Sequence, residues 1–511
     1  MRTTWSFVFG AAALLTAAPA FAQKSQDTLR IAINNPFAVL SSYDLPVDEA
    51  GIFSREVYDY LLMYDEHKQK FVPALAKSWK RIDDQTTEME LRDDITFHNG
   101  DKFEASDVKT TIDYIIDPKS KITYGSRFHW IKDVEVISPT KIRIHGKQPM
   151  ATDLMIYAYR IQIYDGKLMS KMADKQDYGR IHPIGTGPYK VVHLDTNKGI
   201  LVEKAASYKV LPEYKKPTVK RVAGIPMPDK QTQTAQLMVG GVELLRAVPP
   251  DTAKALTESN PNVKATYIPS PNLVYMALDS VGNGPNKALS DQRVRKAIMM
   301  GVDRESIIKH IVPGGHVAEH VQNDCFKATI ACSYTVYPPG YDPAGAKKLL
   351  AEAGYPNGLD VSYVVFAPYK AIGEAVAGDL RKIGVRMNIQ AVDISLYRRL
   401  QGDGKLEAWT SLFPTGSYPD SGNVFNVLFG PPAMKYYKDD VILDAMDKGE
   451  KEFDPEKRKA IYQKAYNRIN EMNYHLPISS VPTVYVHSKD VKIKTNSLSA
   501  GENYIIDYVW N

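Results

Sequence analysis

Hydrophobic and polar positions follow two periods along the chain, and these predict interleaved strands and helices. Residues 28–33 alternate and predict a first strand, whereas residues 105–116 have the apolar spacing of a helix. Asp342-Pro343 and Asp454-Pro455 each precede a later apolar stripe, so that aspartate can cap a helix and proline can occupy its first position. Interleaving of this kind predicts an α/β fold with helices packed on sheets.

Elsewhere in the chain the hydrophobic pattern is weaker and predicts individual elements less clearly. It predicts a short helix over residues 55–62 and a helix that Ser290 caps. Proline interrupts two extended stretches, near Pro269 and near Pro482. The sequence contains no internal repeat and no low-complexity tract, so a repeat architecture is not expected.

The first 22 residues have the layout of a secretory signal peptide. Arg2 precedes an apolar run over residues 5–15, and Ala20-Phe21-Ala22 then places small residues on both sides of a bulky one. We expect cleavage after Ala22. The apolar run is shorter than the ~20 residues that span a bilayer, and no cysteine for a lipid anchor lies at the cleavage site. The mature protein is therefore expected in the periplasm, without a lipid anchor.

Composition excludes some classes of protein. Hydrophobic residues make up 44% of the 511 residues and charged residues 24%, which is typical of globular chains, and the length suggests two or three domains. The net charge of +5 is spread without a basic block, so nucleic-acid binding is not expected. Cys325 and Cys332 are the only cysteines. In an oxidising compartment they are expected to form a disulfide worth roughly 2–3 kcal/mol.

Several motifs occur in a fixed order, and together they resemble the family 5 solute-binding proteins of ATP-driven importers. That family includes dipeptide-, oligopeptide- and nickel-binding proteins. The resemblance covers nearly all of the mature chain. The motifs are Pro73-Ala-Leu-Ala-Lys-Ser-Trp79, Phe97-His-Asn-Gly100, Gly185-Thr-Gly-Pro-Tyr189, Leu289-Ser-Asp-Gln-Arg-Val-Arg-Lys-Ala297 and Leu349-Leu-Ala-Glu-Ala-Gly-Tyr-Pro356.

The resemblance implies a two-lobed, periplasmic binding protein type II-like α/β fold of the cluster C type. Lobe I would span residues 23–268, with an additional subdomain over about residues 61–184. Lobe II would span residues 269–482, and residues 483–511 would return to lobe I. Two crossing segments would then form a hinge that closes the lobes on a solute.

The implied function is capture of a small solute and its delivery to the permease subunits of an ABC transporter, which work with cytoplasmic ATPases. A monomer without enzymatic activity, cofactor or metal is expected. A secreted hydrolase on a two-lobed scaffold and a peptide-holding or sensory protein remain as alternatives. Common hydrolase motifs are absent from the sequence, namely Gly-x-Ser-x-Gly and His-Glu-x-x-His. His310, His316 and His320 could bind a metal, but a solvated loop is the preferred interpretation.

Aromatic side chains suit a solute cleft, because they combine an apolar body with a polar tip, and the chain has 31 tyrosines. The candidate ligand residues follow the first strand in lobe I or lie in and after the segment 409–420 in lobe II. They are Asn34, Tyr43 and Asp48 in lobe I, and Trp409, Ser417, Tyr418, Asp420, Tyr436 and Tyr437 in lobe II.

One departure from the family pattern bears on the solute. In peptide-binding relatives, the segment that matches residues 409–420 carries an aspartate that pairs with the peptide amino terminus. Alignment on Gly416 and Asp420 puts Ser417 at that position, and a hydroxyl pairs poorly with a buried ammonium group. The loop 366–370 also lacks the arginine that holds a peptide carboxylate. We therefore expect a modified peptide, an opine-like or a sugar-like solute rather than an unmodified dipeptide.

Overall fold

The computed structural model describes most of the chain after the predicted signal peptide. No helix within the described residues is long and apolar enough to cross a membrane. The cleavage site at Ala22 and the candidate residue Ser417 lie outside the described residues. The structure describes residues 27–44, 48–120, 122–123, 125–211, 216–269, 272–284, 286–312, 314, 321, 323–325, 329–413, 418–494, 496, 498–499 and 503–511.

The strands are short, and most are rich in buried apolar residues. They are β1 (Thr28–Ile33), β2 (Leu62–Asp65), β3 (Lys70–Pro73), β4 (Ala76–Asp83), β5 (Thr86–Leu91), β6 (Ile131–Ser138), β7 (Lys141–Gly146), β8 (Tyr189–Asp195), β9 (Gly199–Lys204), β10 (Arg221–Pro226), β11 (Leu244–Leu245), β12 (Val263–Ile268), β13 (Leu273–Leu278), β14 (Leu359–Phe366), β15 (Val385–Val392), β16 (Ala408–Phe413), β17 (His475–Ser480), β18 (Thr483–Ser488), β19 (Val491–Ile493) and β20 (Tyr508–Trp510).

The helices lie between the strands, as the two periods of the sequence predict. They are α1 (Asp48–Val57), α2 (Ala105–Ile116), α3 (Asp153–Tyr159), α4 (Gly166–Ser170), α5 (Asp177–Ile181), α6 (Lys230–Met238), α7 (Pro250–Ser259), α8 (Gln292–Met300), α9 (Arg304–His310), α10 (Pro343–Glu352), α11 (Lys370–Arg381), α12 (Ile394–Gly402), α13 (Ser421–Phe429), α14 (Asp440–Lys451) and α15 (Pro455–Met472).

The beginning of the chain forms a seven-stranded sheet in the order β12-β18-β11-β1-β10-β9-β8. β1 pairs in parallel with β10 and β11, whereas β18 runs antiparallel to β11 and β12. Between β3 and β8 the chain builds a separate four-stranded antiparallel sheet, β4-β5-β7-β6, against which α2 packs. Since β18 lies near the end of the chain, the last part of the sequence returns to the sheet built by the first part.

The middle of the chain forms a five-stranded sheet in the order β15-β14-β16-β13-β17. β12 and β13 are consecutive along the chain, and so are β17 and β18. In each pair one strand, β12 or β18, belongs to the seven-stranded sheet, and the other, β13 or β17, belongs to the five-stranded sheet. The chain therefore passes from one sheet to the other between Ile268 and Leu273, and it passes back between Ser480 and Thr483. Both passages contain a proline that interrupts the sequence pattern, Pro269 and Pro482.

Each large sheet has apolar side chains on both faces. One core of the five-stranded sheet contains Ile298 and Val361, and the core on its other face contains Trp409 and Phe425. The seven-stranded sheet shares a core with the four-stranded sheet, to which Ile31 and Ile142 contribute. Burial of apolar area on both faces is the main source of stability for such layers, at ~25 cal/mol per Å².

The structure confirms the strongest helix predictions and corrects two weaker ones. Asp342 accepts a hydrogen bond from the Gly345 amide at 2.8 Å, and Asp454 accepts one at 2.9 Å, so both Asp-Pro pairs begin a helix. The sequence predicts a helix over residues 55–62, but the observed helix α1 begins earlier, at Asp48, and ends at Val57. The chain leaves the helix there because residues 62–65 form strand β2. Asp291, not Ser290, caps α8, since the Ser290 hydroxyl donates to the carbonyl oxygen of the preceding turn.

Candidate functional site

A pocket that opens to solvent lies beside the first sheet. Three segments that are distant in sequence enclose it, namely the region from α1 to β2, the end of α3 and the stretch before β20. Aromatic and aliphatic side chains make up most of the lining, and two charged side chains accompany them, as is typical of a solute site. The lining residues are Arg55, Asp59, Tyr60, Met63, Tyr64, Ala158, Tyr159, Leu498, Ser499 and Tyr504.

Hydrogen bonds hold several of these aromatic side chains in place. Arg55 donates to the Tyr504 hydroxyl at 2.8 Å, and its guanidinium lies 5.2 Å from the centre of the same ring. The Tyr159 hydroxyl donates to Glu66 at 2.9 Å. Because their polar tips are engaged, these rings present fixed apolar faces to the pocket.

Arg160 lies next to the pocket, immediately after the last residue of α3. Its Nε atom is buried and has no hydrogen-bond partner among the described residues. Burial lowers the pKa of its guanidinium to about 10, and the neighbouring cations Arg127 and Arg55 act in the same direction. Arg160 is half-buried, and a cation that is partly removed from water beside other cations costs free energy unless an anion compensates it. The arrangement is thus suited to binding an anionic group.

Tyr418 lies just before α13, and its ring faces Arg160. Its ring centre lies 5.6 Å from the guanidinium carbon of Arg160 and 6.3 Å from the ring centre of Tyr159. The first distance is within the range of a cation–π interaction. Among the candidates chosen from sequence, Tyr418 is the one that the structure brings to this arginine.

The Tyr64 hydroxyl is a second buried group in the pocket that lacks a hydrogen-bond partner within the described part of the chain. Burial raises the pKa of this phenol, so it stays protonated and can donate. A buried hydroxyl left unpaired costs about 1–3 kcal/mol, which a bound acceptor would recover. Arg160 and Tyr64 therefore both provide donors to a solute that carries acceptors.

Asp59 is the acidic residue that lines the pocket. Its side chain is buried, which raises its pKa to about 6, although a hydrogen bond from Thr186 and the charge of Arg92 act in the opposite direction. The Thr186 hydroxyl donates to Asp59 at 2.8 Å. Asp59 is therefore partly protonated near neutral pH.

The Gly185-Thr-Gly-Pro-Tyr189 motif explains how Thr186 reaches Asp59. A Cβ atom on Gly185 would lie 1.9 Å from the Val57 carbonyl oxygen, and one on Gly187 would lie 2.5 Å from the Glu56 carbonyl oxygen. Only glycine allows the loop to approach the end of α1 this closely. The two glycines of the motif thus have a structural role, and they place Thr186 against Asp59, a residue of the pocket.

Asp420 is held in an ion pair, and its predicted contact with the solute stays a prediction. Its two carboxylate oxygens each accept a hydrogen bond at 2.7 Å from the guanidinium of Arg458, and both side chains are buried. The same carboxylate accepts from the Gly422 amide at 2.8 Å and so caps α13. Because Arg458 and this helix terminus satisfy Asp420, it supports the segment that carries Tyr418.

Three aromatic candidates of the second lobe lie in the apolar core of the five-stranded sheet. Trp409 and Tyr436 are fully buried, and the Tyr436 hydroxyl donates to a backbone carbonyl at 3.1 Å. Tyr437 is bonded at 2.9 Å to His475, which is in turn bonded to Asp324 at 2.8 Å. None of the three lines the pocket beside the first sheet, and their contact with a solute stays a prediction.

The candidates of the first lobe lie away from the pocket lining. Tyr43 is buried, and its hydroxyl donates to the Gln162 carbonyl oxygen at 2.7 Å. The Asn34 side chain accepts a hydrogen bond from Gln233 at 2.8 Å. Asp48 begins α1. Ser417 lies outside the described residues, so its proposed role stays a prediction.

Cys325 and Cys332 form a disulfide, as the sequence predicts. The loop that it closes is connected to the segment around Tyr418. The Ile330 amide donates to the Pro419 carbonyl oxygen at 3.0 Å, and the Ser421 amide donates to the Ile330 carbonyl oxygen at 3.0 Å. The disulfide therefore supports the wall of the site that Tyr418 provides.

Sequence reasoning missed the pocket residues Arg55, Asp59 and Tyr64, and it missed the neighbouring Arg160. One signal could have identified the last of these. Arg160 stands between the apolar residues of α3 and Ile161, where a charged side chain is unexpected unless it has a function. The other residues meet only through the tertiary fold.

Solved structures with the same architecture show that the fold is that of a type II periplasmic binding protein. NikA from Brucella suis, in complex with Fe(III)-EDTA, matches with a TM-score of 0.83 over 95% of this chain and 100% of NikA, at 21% identity. A dipeptide-binding protein from a Pseudoalteromonas species, in complex with Met-Leu, matches with a TM-score of 0.77 over 95% of this chain and 100% of that chain, at 19% identity.

The family follows from the sequence match. Residues 70–436 match the bacterial extracellular solute-binding proteins, family 5 Middle. The glutathione-binding protein GsiB of Escherichia coli strain K12 is 26% identical over 500 residues, which cover 94% of each chain. This chain belongs to the family 5 solute-binding proteins of ABC importers.

Proposed function

We propose that the protein captures a small anionic solute in the pocket beside Arg160 and delivers it to the permease subunits of its ABC importer. The observation that carries this proposal is the buried Arg160 Nε, which has no partner within the described residues. The proposal includes export to the periplasm with cleavage after Ala22, and a monomer that binds without catalysis. The membership of the chain in a family of binding proteins supports the last point.

The two passages between the sheets support a hinge. We place lobe I at residues 23–268 with its subdomain over about 61–184, lobe II at 269–482, and the return to lobe I at 483–511. In this division Arg160 belongs to the subdomain, and Tyr418 belongs to lobe II. In this division the residues that line the pocket all belong to lobe I, and Tyr418 approaches from lobe II beside Arg160. A solute in the pocket would favour the closed state through the contact that it adds with Tyr418.

The fold alone does not select the solute, since similar folds hold Fe(III)-EDTA in one protein and Met-Leu in another. The chemistry of the pocket is more informative. A carboxylate can accept from both Arg160 and the Tyr64 hydroxyl, whereas an uncharged sugar would leave the arginine uncompensated. We therefore favour an acidic modified peptide or an opine-like acid. The name of GsiB, a glutathione-binding protein, agrees with the first of these classes.

Native mass spectrometry of the protein purified from periplasm tests the proposal. The wild-type protein is expected to start at Gln23 and to retain an acidic small molecule. Arg160→Met should lose this molecule, because the compensating cation is gone. Arg180→Met is the matched control, since Arg180 is exposed and pairs with Asp177.

Retention of a neutral or cationic molecule, or equal retention by Arg160→Met and the control, would contradict the proposal. Calorimetric titration adds a second test. Unmodified dipeptides are expected to bind weakly or not at all. Tight binding of simple dipeptides would overturn the argument that is based on Ser417.

A further inference from the structure

Two contacts outside the pocket join the four-stranded sheet region to the turn between α14 and α15. The guanidinium carbon of Arg81 lies 4.0 Å from the ring centre of Phe453. The Ala151 amide donates to the Glu450 carbonyl oxygen at 2.7 Å. We call these four residues the clamp. In the proposed division of lobes, both contacts cross from the subdomain to lobe II, and the solute pocket does not include any of the four.

The guanidinium of Arg81 is held in place by residues of the subdomain to which Arg81 itself belongs. Arg81 donates to Asp153 at 2.6 Å, and Asp153 is buried and also accepts from the Thr87 hydroxyl at 2.9 Å. This pairing fixes the cation before the lobes meet. Phe453 then contributes an aromatic face to a cation that is already oriented, so little side-chain entropy is lost on contact.

The backbone contact of the clamp uses the Glu450 carbonyl oxygen, which has no partner within its own helix. The Glu450 carbonyl is in the last turn of α14, where carbonyl oxygens lack a partner within the helix. The Ala151 amide satisfies it from the other lobe. When the lobes separate, water must replace the amide, and the cation–π contact is lost at the same time.

We propose that the clamp sets the fraction of closed protein in the absence of solute, and thereby tunes the affinity for any solute. The apparent affinity of a binding protein scales with the population of the state that is competent to bind. A contact that favours closure thus raises affinity without touching the ligand. The proposal rests on the two-lobed function proposed above, because it requires lobes that open.

The distance between the lobes in the solute-free protein tests this proposal. Spin labels at Lys132→Cys in the subdomain and Lys348→Cys in lobe II would report it by double electron–electron resonance, since both side chains are largely exposed. The protein is first freed of solute by partial unfolding and dialysis. Phe453→Leu keeps an apolar side chain but removes the aromatic face, so the ratio of closed to open protein should fall about fivefold. Phe453→Trp should keep or raise this ratio.

Tyr337→Leu is the matched control, because Tyr337 is a 60% exposed aromatic residue of lobe II outside the clamp. It should leave the distance distribution unchanged. An unchanged distribution in Phe453→Leu, or a single rigid distance in every variant, would overturn the proposal. If the lobes move but no anionic solute is ever found, the clamp stands and the proposed solute class fails, so the two outcomes are distinguishable.

Discussion

The two walls of the candidate site differ in how their charges are satisfied. On the first-lobe side, Arg160 and Tyr64 have buried donors without partners in the described part of the protein. On the second-lobe side, Asp420 and Arg458 neutralise each other, and Tyr418 is the residue that reaches across. The first wall therefore lacks an acceptor that a solute can supply, whereas on the second wall the carboxylate of Asp420 is already neutralised by Arg458.

This difference assigns separate tasks to the lobes. The wall with unpaired donors recognises the chemistry of the solute, because only a matching group recovers the cost of burial. The second wall, in which Arg458 neutralises Asp420, positions Tyr418 beside Arg160. Mutations on the second wall should accordingly damage the fold, and those on the first wall should damage binding while the fold remains.

The largest expected effect is on stability, at the second wall. Arg458→Met leaves the buried carboxylate of Asp420 without its ion pair, and loss of one partner from a buried pair costs about 3–5 kcal/mol. Urea unfolding followed by far-UV circular dichroism would measure this loss. Lys448→Met is the control, since its pair with Asp444 is exposed and should be worth less than about 0.5 kcal/mol. Equal effects of the two substitutions would show that the second wall does not depend on this pair.

Substitution of Arg160 should separate binding from stability. Arg160→Met removes the cation that we assign to the solute, and we expect affinity to fall at least about 30-fold. The solute-free variant should be as stable as the wild type or more so, because a half-buried charge whose buried Nε has no partner among the described residues is removed. Calorimetry with the co-purified solute and urea unfolding without it would measure the two effects. A marked loss of stability would mean that Arg160 serves the fold instead.

Much of the fold was predictable from local signals in the sequence. The Asp-Pro pairs, the apolar stripes and the alternating strands depend on neighbouring residues, and the structure confirms them. The disulfide was also predictable, because the chain has only two cysteines and these are close in sequence. Prolines at positions 269 and 482 marked the two passages between the sheets.

The site was much less predictable, for a physical reason. The pocket joins residues near positions 60, 159 and 504, and only tertiary packing brings them together. Sequence reasoning chose aromatic residues such as Trp409 and Tyr436, but an aromatic side chain fills a core as readily as it lines a cleft. Asp420 was chosen for its charge, and its partner Arg458 is 38 residues away in sequence.

Removal of the disulfide should loosen the second wall to a moderate degree. Cys325→Ser combined with Cys332→Ser releases the loop that is bonded to Pro419 and Ser421, and the loop entropy corresponds to about 2–3 kcal/mol. Hydrogen exchange should then rise in the segment that begins at Tyr418, while it stays unchanged in β1. The denatured wild-type protein should contain no free thiol before reduction, and detection of two would refute the pairing itself.

The smallest expected effect is the pH dependence of solute affinity, which we assign to Asp59 in the pocket. Burial raises the pKa of Asp59 to about 6, so its carboxyl is largely neutral below that pH and ionised above it. An ionised Asp59 would repel an anionic solute in the same pocket, and the bound anion would in turn raise the pKa of Asp59. Affinity should therefore be highest at low pH and fall about threefold as pH rises through this pKa. Calorimetry at about pH 5 and about pH 8 would show the change, and Asp59→Asn should abolish it. An affinity that rises with pH would indicate that the solute presents a cation to Asp59, and the division of tasks between the walls would then have to be reversed at this position.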